Sequence, residues 1–227
     1  MFPDLFRDDV FRLETRRLWL RWPRAGDARA IAALAGEREV AEMTARIPHP
    51  YPTEEADAFV VRARGAMLAG SELVFAVAPK ARPTALVGMV GIHPTDQGPA
   101  LGYWIGREHW GQGLATEAAR ALIDAAFSYT RMPELVASVR VVNPASRRVL
   151  ETCGFRAAGS GFETSPLRGR MAVDRFVLER RVWASLKSWS REGWAPPVGS
   201  GEERADAADA ESDPAQRDER RLPQAAE

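Results

Sequence analysis

The sequence predicts an α+β fold, with a central mixed, mostly antiparallel sheet of about seven strands flanked by about four helices. Three strand-length apolar runs follow one another between residues 73 and 105 with short turns between them, which is typical of an antiparallel meander. An amphipathic helical pattern then leads to a fourth run at 134–142, and such a strand-helix-strand connection favours parallel neighbours. With 227 residues, 45% of them hydrophobic, the chain is long enough for one ordinary core.

The first part of the chain predicts one strand and two helices. Apolar and polar residues alternate over 18–22, which is the pattern of a half-buried strand. Asp27 is placed to cap a short helix that ends at Gly36. Prolines in 48–52 interrupt the chain, and Thr53 then begins a second helix with two glutamates near the positive end of its dipole.

The middle of the chain supplies the meander and a third helix. Apolar runs at 73–78 and 85–92 form a predicted hairpin, and the segment ALGYWIG adds the third strand. From Leu114 onward apolar residues recur at helical spacing, which predicts an amphipathic helix.

Capping signals place a short helix after the strand at 134–142. Asn143 is a good N-cap and is followed by proline at the first helical position. Gly154 stands where a left-handed residue commonly ends a helix. The run at 171–183 is predicted to be the last strand.

Charge is unevenly distributed, although the formal net charge is zero. Residues 196–227 contain nine acidic residues and four arginines, a net charge of −5, and residues 1–195 carry +5 from 27 basic and 22 acidic residues. The C-terminal stretch has too few large apolar side chains to offset its ordering entropy. The predicted organisation is an N-terminal extension at 1–10, a folded domain at 11–190 and a disordered acidic tail at 191–227.

Composition disfavours several classes of protein. A single cysteine, Cys153, excludes an intrachain disulfide framework and fits a reducing compartment. The opening residues lack the uninterrupted apolar core of a signal peptide, and the apolar runs are far shorter than a membrane span. Basic residues are not clustered with aromatics. We therefore expect a cytoplasmic protein that binds neither nucleic acid nor membrane. These features do not bear on its oligomeric state, which we expect to be a monomer or a homodimer.

The segment WIGREHWGQGLATE (104–117) places glycines at the mouth of a predicted helix. Gly111 and Gly113 leave backbone N–H groups open, and the helix adds unpaired N–H groups and a positive dipole end, so the turn suits a phosphate or pyrophosphate. The glycines are equally consistent with a tight turn that binds nothing. The P-loop lysine and the acidic residue of the dinucleotide fingerprint are missing, which disfavours both of those motifs.

Four stretches together resemble the GNAT superfamily of acyl-CoA N-acyltransferases, in the branch of the Rim-type ribosomal-protein N-terminal acetyltransferases. They are TRRLWLRWPRAGDA (15–28), IPHPYPTEEADAFV (47–60), LGYWIGREHWGQGLATEAARALI (101–123) and NPASRRVLETCGF (143–155), in the family's order. The resemblance implies an N-acetyltransferase domain over 11–190, a sheet splayed at the cofactor site, acetyl-CoA as cosubstrate and no metal. It also implies acetyl transfer to a primary amine, on a protein N-terminus or a small molecule, by direct attack in a ternary complex.

The resemblance further implies which residues contact coenzyme A. Backbone amides of 111–116 would hold the pyrophosphate, and the pantetheine would lie along the strand that ends at Ile105. A backbone N–H of Trp104 or Ile105 would donate to the acyl carbonyl. The implied contacts are Trp104, Ile105, Trp110, Gly111, Gln112, Gly113, Leu114, Ala115, Thr116, Asn143 and Ser146. Trp110 departs from the Gln or Arg usual at its position, and Asn143 equally suits plain helix capping.

The acid and the base are less well marked. Many relatives carry Glu at the position of Ala100 and Tyr at the position of Leu150, so a non-catalytic acetyl-CoA-binding or regulatory module remains the alternative. The catalytic candidates are Ser146, which would protonate the leaving thiolate, and His93, which would take the amine proton. Ser146 equally suits a backbone hydrogen bond in a first helical turn, and His93 a solvated turn.

Four other side chains are assigned more simply. His49 and Tyr51 lie in the proline-rich entry to the second helix and are candidate acceptor contacts. Tyr103 alternates with apolar neighbours and is predicted to belong to the core. Cys153 has no base near it in sequence and is predicted to be a buried helix-end residue.

Overall fold

The computed structural model describes residues 2–192, with side chains through residue 188. The predicted acidic tail therefore lies outside the described residues, apart from its first two positions. The strands are β1 Arg12–Glu14, β2 Leu18–Arg21, β3 Leu73–Pro79, β4 Gly88–Thr95, β5 Gly98–Ile105, β6 Glu134–Arg140, β7 Arg156–Ser165 and β8 Gly169–Glu179. The helices are α1 Ala28–Ala35, α2 Arg38–Ala41, α3 Thr53–Leu68, α4 Leu114–Tyr129, α5 Pro144–Thr152 and α6 Arg180–Glu192.

The eight strands form one sheet in the order β1-β2-β3-β4-β5-β6-β8-β7. All neighbours are antiparallel except β5 and β6, which run parallel because α4 connects them as a crossover. The predicted mixed, mostly antiparallel sheet is confirmed. Short elements such as β1 and α2 bring the described part of the chain slightly above the predicted numbers of strands and helices.

Different helices cover the two faces of the sheet. On the face that we call the front, α1 and α3 enclose a cluster that includes Ile31, Val60 and Met89. On the opposite face, the back, α4 packs on a larger cluster that includes Phe75 and Leu122. Side chains of a strand alternate between these faces, so the two sides of each strand have different surroundings.

The sheet opens between β5 and β6. Within these strands the one parallel register pair is Ala100 with Val136, whereas β6 is paired with β8 from Glu134 to Arg140. The C-terminal half of β5 is therefore separated from β6, in agreement with the splayed sheet that the family resemblance implies.

The role of Asp27 differs from the prediction. Asp27 occupies the N-cap position of α1, but its carboxylate does not cap that helix. It accepts hydrogen bonds from Arg21 Nη1 at 2.7 Å and Nη2 at 2.8 Å, and from Arg24 N at 2.7 Å. Arg21 and Asp27 are both buried. A buried guanidinium needs such a bidentate partner, so the ion pair takes the oxygens that capping would use.

The last strand is shorter than predicted. β8 ends at Glu179 and α6 begins at Arg180, so the prediction of a strand through residue 183 was wrong. Arg180 donates to the carbonyl oxygens of Phe127 at 2.7 Å, Thr130 at 2.6 Å and Met132 at 2.8 Å. These non-local bonds fix the start of α6 against the end of α4.

The segment before β1, predicted as an extension, packs against the domain. Phe2 and Phe6 are buried in the back cluster, and Asp9 forms an ion pair with Arg64 of α3 at 3.0 Å. No helix within residues 2–192 combines the length and apolar character that crossing a membrane requires.

Candidate active site

The turn between β5 and α4 presents consecutive backbone N–H groups. Gly111 and Gly113 have φ values of +75° and +72°, a left-handed conformation that glycine adopts readily. Within the described residues, none of the N–H groups of 111–116 donates to a protein acceptor, and the first helical bond runs from Glu117 N to Gly113 O at 3.1 Å. The positive end of the α4 dipole lies at the same place. This cradle fits a phosphate or pyrophosphate.

Glu117 joins the cradle to the loop between β1 and β2. Its carboxylate accepts hydrogen bonds from Thr15 Oγ1 at 2.6 Å, Arg17 N at 2.8 Å and Arg17 Nε at 2.6 Å. Arg17 Nη1 in turn donates to Gln112 O at 2.9 Å. Glu117, in the first turn of α4, therefore holds a guanidinium beside the cradle.

Charge around the cradle is mainly positive. An open depression beside it is lined by Arg16, Arg17, Gly113, Thr116, Glu117 and Arg120. Burial raises the pKa of Glu117, but hydrogen bonds from Thr15 and Arg17 outweigh it and leave the pKa below its usual value. Glu117 is thus ionised and paired at neutral pH, and the arginines leave the depression suited to anionic groups.

Trp110 ties the turn to the end of β5. Its indole N–H donates to the carbonyl oxygen of Ile105 at 2.7 Å, while the side chain remains 45% exposed. The residue that departs from the superfamily pattern therefore has a positioning role, since it fixes the cradle relative to the strand edge.

Trp104 and Ile105 are the two candidates to donate a backbone N–H to the acyl carbonyl, and the β5 backbone directs these two N–H groups to opposite sides. Gly106 N donates to Val87 O at 2.9 Å, toward β4, in register with the β4–β5 pairing. N–H groups alternate sides along an antiparallel strand, so Trp104 N–H also points toward β4. The N–H groups of Ile105 and Tyr103 point to the gap beside β6. The geometry therefore favours Ile105, and it adds Tyr103, which the sequence did not suggest for this role.

Asn143 and Ser146 meet at the first turn of α5. Asn143 Oδ1 accepts a hydrogen bond from Ser146 N at 3.0 Å, so Asn143 caps the helix. Ser146 Oγ lies 2.9 Å from the Tyr103 hydroxyl, which also donates to Ser146 O at 3.1 Å. Burial raises the pKa of Tyr103 despite its hydrogen bond to Ser146, which keeps the phenol protonated. The Tyr103 ring packs on the back cluster as predicted, but its hydroxyl belongs to the candidate site.

Leu150 and Cys153 are both buried. Leu150 is fully buried in the back cluster, so the position that is tyrosine in many relatives contributes only packing here. Cys153 is buried, and burial raises the pKa of its thiol to about 11. A thiol with that pKa is almost entirely protonated at neutral pH and is a poor nucleophile.

His93 lies on the front of β4, beside the bare backbone of Gly102. A side-chain carbon added at Gly102 would come within 3.6 Å of the His93 ring. Among the described residues neither ring nitrogen has a hydrogen-bond partner. Burial and then the charge of Arg46 lower the pKa of His93. The imidazole is therefore neutral at physiological pH and able to accept a proton.

His49 and Tyr51 belong to the connection between α2 and α3. His49 Nδ1 donates to Gly36 O at 2.6 Å, and Tyr51 packs against the front cluster. Burial raises the pKa of Tyr51, with opposing effects from nearby charges. Neither residue hydrogen-bonds to His93 or Ser146, so the structure does not link the two candidate acceptor contacts directly to the two candidate catalytic side chains.

The segment from α2 into this connection links the two sides of the gap. Glu39 forms an ion pair at 2.6 Å with Arg107, just beyond β5. Arg168, in the β7–β8 turn, donates to Thr44 O at 2.9 Å and to the carbonyls of Ala41 and Ile47 at 2.7 and 2.8 Å. Residues 39–47 are therefore held at both ends, by Arg107 at one and by Arg168 at the other.

An opened parallel strand pair, with a glycine-lined amide cradle at the end of one strand, defines a protein of the acyl-CoA-dependent N-acyltransferase class. The chain belongs to the GNAT family of acetyltransferases, since the family model described as Acetyltransferase (GNAT) domain matches residues 17–156.

Relatives of this chain agree with that assignment. It is 29% identical over 176 residues to the uncharacterized N-acetyltransferase p20 of Bacillus licheniformis, a match covering 76% of this chain and 98% of that protein. RimJ of Mycobacterium smegmatis, solved with CoA-disulfide, has a TM-score of 0.67 at 22% identity, over 84% of this chain and 98% of RimJ. Spermidine N-acetyltransferase of Vibrio cholerae, solved with CoA and spermine, has a TM-score of 0.62 at 23% identity, over 75% and 99%. These two solved structures share the fold.

Proposed function

We propose that this protein transfers the acetyl group of acetyl-CoA to a primary amine, on a protein N-terminus or a small molecule, by direct attack in a ternary complex. The observation that carries the proposal is the row of unpaired N–H groups at 111–116, beside the gap between β5 and β6. A CoA pyrophosphate at the cradle would direct the rest of the molecule along the open edge of β5.

The chain's own residues supply the remaining functions. Bound acetyl-CoA provides the activated acyl group. Ile105 N–H, and Tyr103 N–H beside it, point into the gap and would stabilise negative charge developing on the acyl oxygen. His93 would accept the proton of the attacking amine. Ser146 would donate a hydrogen bond to the departing sulfur, directly or through water.

Positioning contributes a large share of catalysis. Effective molarities for well-oriented groups reach about 10⁵ M or more, so a site without the usual Glu and Tyr still accelerates the transfer. Ala100 and Leu150 are the observations that favour the second candidate, a module that binds acetyl-CoA without turnover. Both are buried apolar residues and offer no proton. The neutral imidazole of His93 and the placed hydroxyl of Ser146 favour the enzyme.

A thiol-release assay separates the two candidates. Purified protein is mixed with acetyl-CoA and a panel of N-terminal peptides, amino acids and polyamines, and free CoA thiol is measured against time. We expect amine-dependent release that falls strongly in Ser146→Ala and His93→Gln. Acetyl-CoA binding without release on any amine would favour the non-catalytic module. Absence of CoA binding would exclude both functions.

A further inference from the structure

Arg175 is a basic residue on the front of β8. Its guanidinium lies over Gly161, and a side-chain carbon at Gly161 would come within 3.1–3.2 Å of the guanidinium atoms. The Nε atom is buried and has no hydrogen-bond partner in the part of the chain that the structure describes. Within the described residues, Arg175 forms neither a side-chain hydrogen bond nor an ion pair. The chain thus positions a partly desolvated cation, which remains able to bind an anion.

Arg140 lies next to Arg175 on the same face. Arg140 pairs with Val173 and Ser138 pairs with Arg175, so the two arginines are diagonal neighbours on β6 and β8. Arg140 likewise has no ion pair within the described residues. The carboxylate on this part of the face is that of Glu163, and it accepts a hydrogen bond from Ser138 Oγ at 2.6 Å. Within the described residues neither arginine pairs with Glu163, so this part of the face carries two guanidinium charges against the single carboxylate charge of Glu163.

The sheet register places this pair beside the gap. β5 and β6 run parallel with Ala100 opposite Val136, so Ser138 and its partner Arg175 are level with Gly102. At the usual spacing of about 4.8 Å per strand, the Arg175 backbone lies at least about 10 Å from that of Gly102, and the opening between β5 and β6 adds to this distance. The Arg175 guanidinium lies farther still, over Gly161 of β7, so an extended peptide of several residues is the acceptor that spans the distance. His93 borders Gly102 from the opposite side.

The front surface of the sheet around Gly102, which we call the floor, is surrounded mainly by positive charge. The charge of Arg46, in the connection between α2 and α3, lowers the pKa of His93 after the larger effect of burial. Arg140 and Arg175 lie on the same face as the floor, on β6 and β8. Ala100 provides no carboxylate in the floor itself. A polyamine, which has only positive charges, is poorly matched to such a site, whereas an amine that also carries a carboxylate is complementary to it.

We propose that the acceptor is an amine whose molecule also carries a carboxylate, and that Arg175, assisted by Arg140, binds that carboxylate while the amine lies over Gly102 beside His93. The planar guanidinium matches a carboxylate with two parallel hydrogen bonds. This inference rests on the proposed acetyltransferase function and specifies its acceptor. An acidic protein N-terminus has both the required chemistry and the required length, whereas a free amino acid has the chemistry alone.

Steady-state kinetics on matched acceptors tests the inference. The acceptors are a peptide that begins with serine and two aspartates, the same peptide with two lysines, free glutamate and spermidine. We expect kcat/KM to be at least about tenfold higher for an acidic acceptor than for the lysine peptide or spermidine, the factor expected for one charge-assisted hydrogen bond. The comparison of glutamate with the acidic peptide identifies which source of carboxylate the site takes.

Variants assign that preference to Arg175. Arg175→Gln should raise KM for the acidic acceptor about tenfold or more, and it should lower KM for the lysine peptide if it changes it at all, because one repelling charge is removed. Arg175→Lys should retain only part of the preference, because it keeps the charge but loses the two parallel hydrogen bonds. Gly161→Ala should weaken the preference without removing any charge, because it crowds the guanidinium. Arg131→Gln removes an exposed arginine before β6 and is the matched control.

Two outcomes would overturn the inference. One is equal kcat/KM for acidic and basic acceptors, and the other is a preference that survives Arg175→Gln combined with Arg140→Gln in a protein whose thermal unfolding is cooperative. If no amine releases thiol, the proposed function fails, and calorimetric binding of the acidic peptide in the presence of CoA decides the inference. Binding that Arg175→Gln weakens supports the carboxylate site, and equal binding by both proteins contradicts it.

Discussion

The Tyr103 hydroxyl lies 2.9 Å from Ser146 Oγ and 3.1 Å from the Ser146 carbonyl oxygen, which joins β5 to the first turn of α5. The two residues are 43 positions apart in sequence. This contact fixes where the serine hydroxyl lies relative to the gap between β5 and β6. It also gives Tyr103 a polar role that the alternation of its strand does not reveal.

Replacing Tyr103 tests whether that contact orients Ser146. Tyr103→Phe should lower kcat about tenfold with little change in KM for acetyl-CoA, because the serine loses its fixed orientation while the cradle is untouched. Ser146→Ala should lower kcat further, and the double variant should be no slower than Ser146→Ala. Additive losses in this double-mutant cycle would show that the two hydroxyls act independently.

His93 is expected to determine the acid side of the pH profile. Its pKa lies below the usual 6.5, so the base is neutral down to mildly acidic pH and is lost only as pH falls further. With an acceptor amine that titrates above pH 7, log kcat/KM should fall with a slope near 1 below the amine pKa and near 2 below the His93 pKa.

His93→Gln provides the comparison for that profile. The variant should lose about 10²-fold in kcat/KM near neutral pH, and its acid limb should keep a slope near 1 throughout. A slope of 2 that persists in the variant would assign the second proton to another group. The far-UV circular dichroism of both proteins, recorded at each pH, controls for acid unfolding.

The parts of the site that are formed by residues close together in sequence could be predicted from local sequence patterns. The glycines before α4, the Asn143 cap and the left-handed Gly154, with φ of +91°, are each readable from a few neighbouring residues. The boundary between β8 and α6 was misplaced because Val182 and Trp183 continue an apolar pattern that a strand and an amphipathic helix share over so short a run.

Contacts between distant segments were not predictable in the same way. Arg17 and Glu117 are 100 residues apart, and Arg168 reaches carbonyl oxygens more than 120 residues away. Nothing in periodicity or spacing pairs such residues, since register and chain crossing bring them together. That Arg175 has no acidic partner within residues 2–192 is also a tertiary property, because it depends on which acidic groups the fold brings close.

Gly113 tests the cradle itself. Gly113→Val should lower the free energy of unfolding by about 1–3 kcal/mol, because a β-branched residue is strained at a φ of +72°. It should also weaken CoA binding about tenfold or more, because the distorted turn no longer aligns its N–H groups.

Gly65→Ala is the matched control. Gly65 lies exposed within α3 with no atom near a new side-chain carbon, so the change should add up to about 1 kcal/mol of stability and leave CoA affinity unchanged. Calorimetric titration with CoA and urea unfolding measure both effects, and undiminished affinity in Gly113→Val would separate the turn from cofactor binding.

Glu117 should make stability depend on pH at the acid side. Its hydrogen bonds with Thr15 and Arg17 leave its pKa in the folded protein below that in the unfolded chain, despite the opposing effect of burial. The folded state therefore binds fewer protons, so the stabilisation is complete above about pH 4.5 and disappears as pH falls through the folded-state pKa.

Glu117→Gln should cost about 1–3 kcal/mol of unfolding free energy at pH 7, as expected for hydrogen bonds to a charged group, and this difference should shrink as pH falls below 4.5. Glu151→Gln, on an exposed position of α5, should show no such difference at any pH. Urea unfolding of the three proteins between pH 3 and 7 measures these differences, and a gap between wild type and Glu117→Gln that stays constant to pH 3 would show that the carboxylate charge does not hold Arg17 beside the cradle.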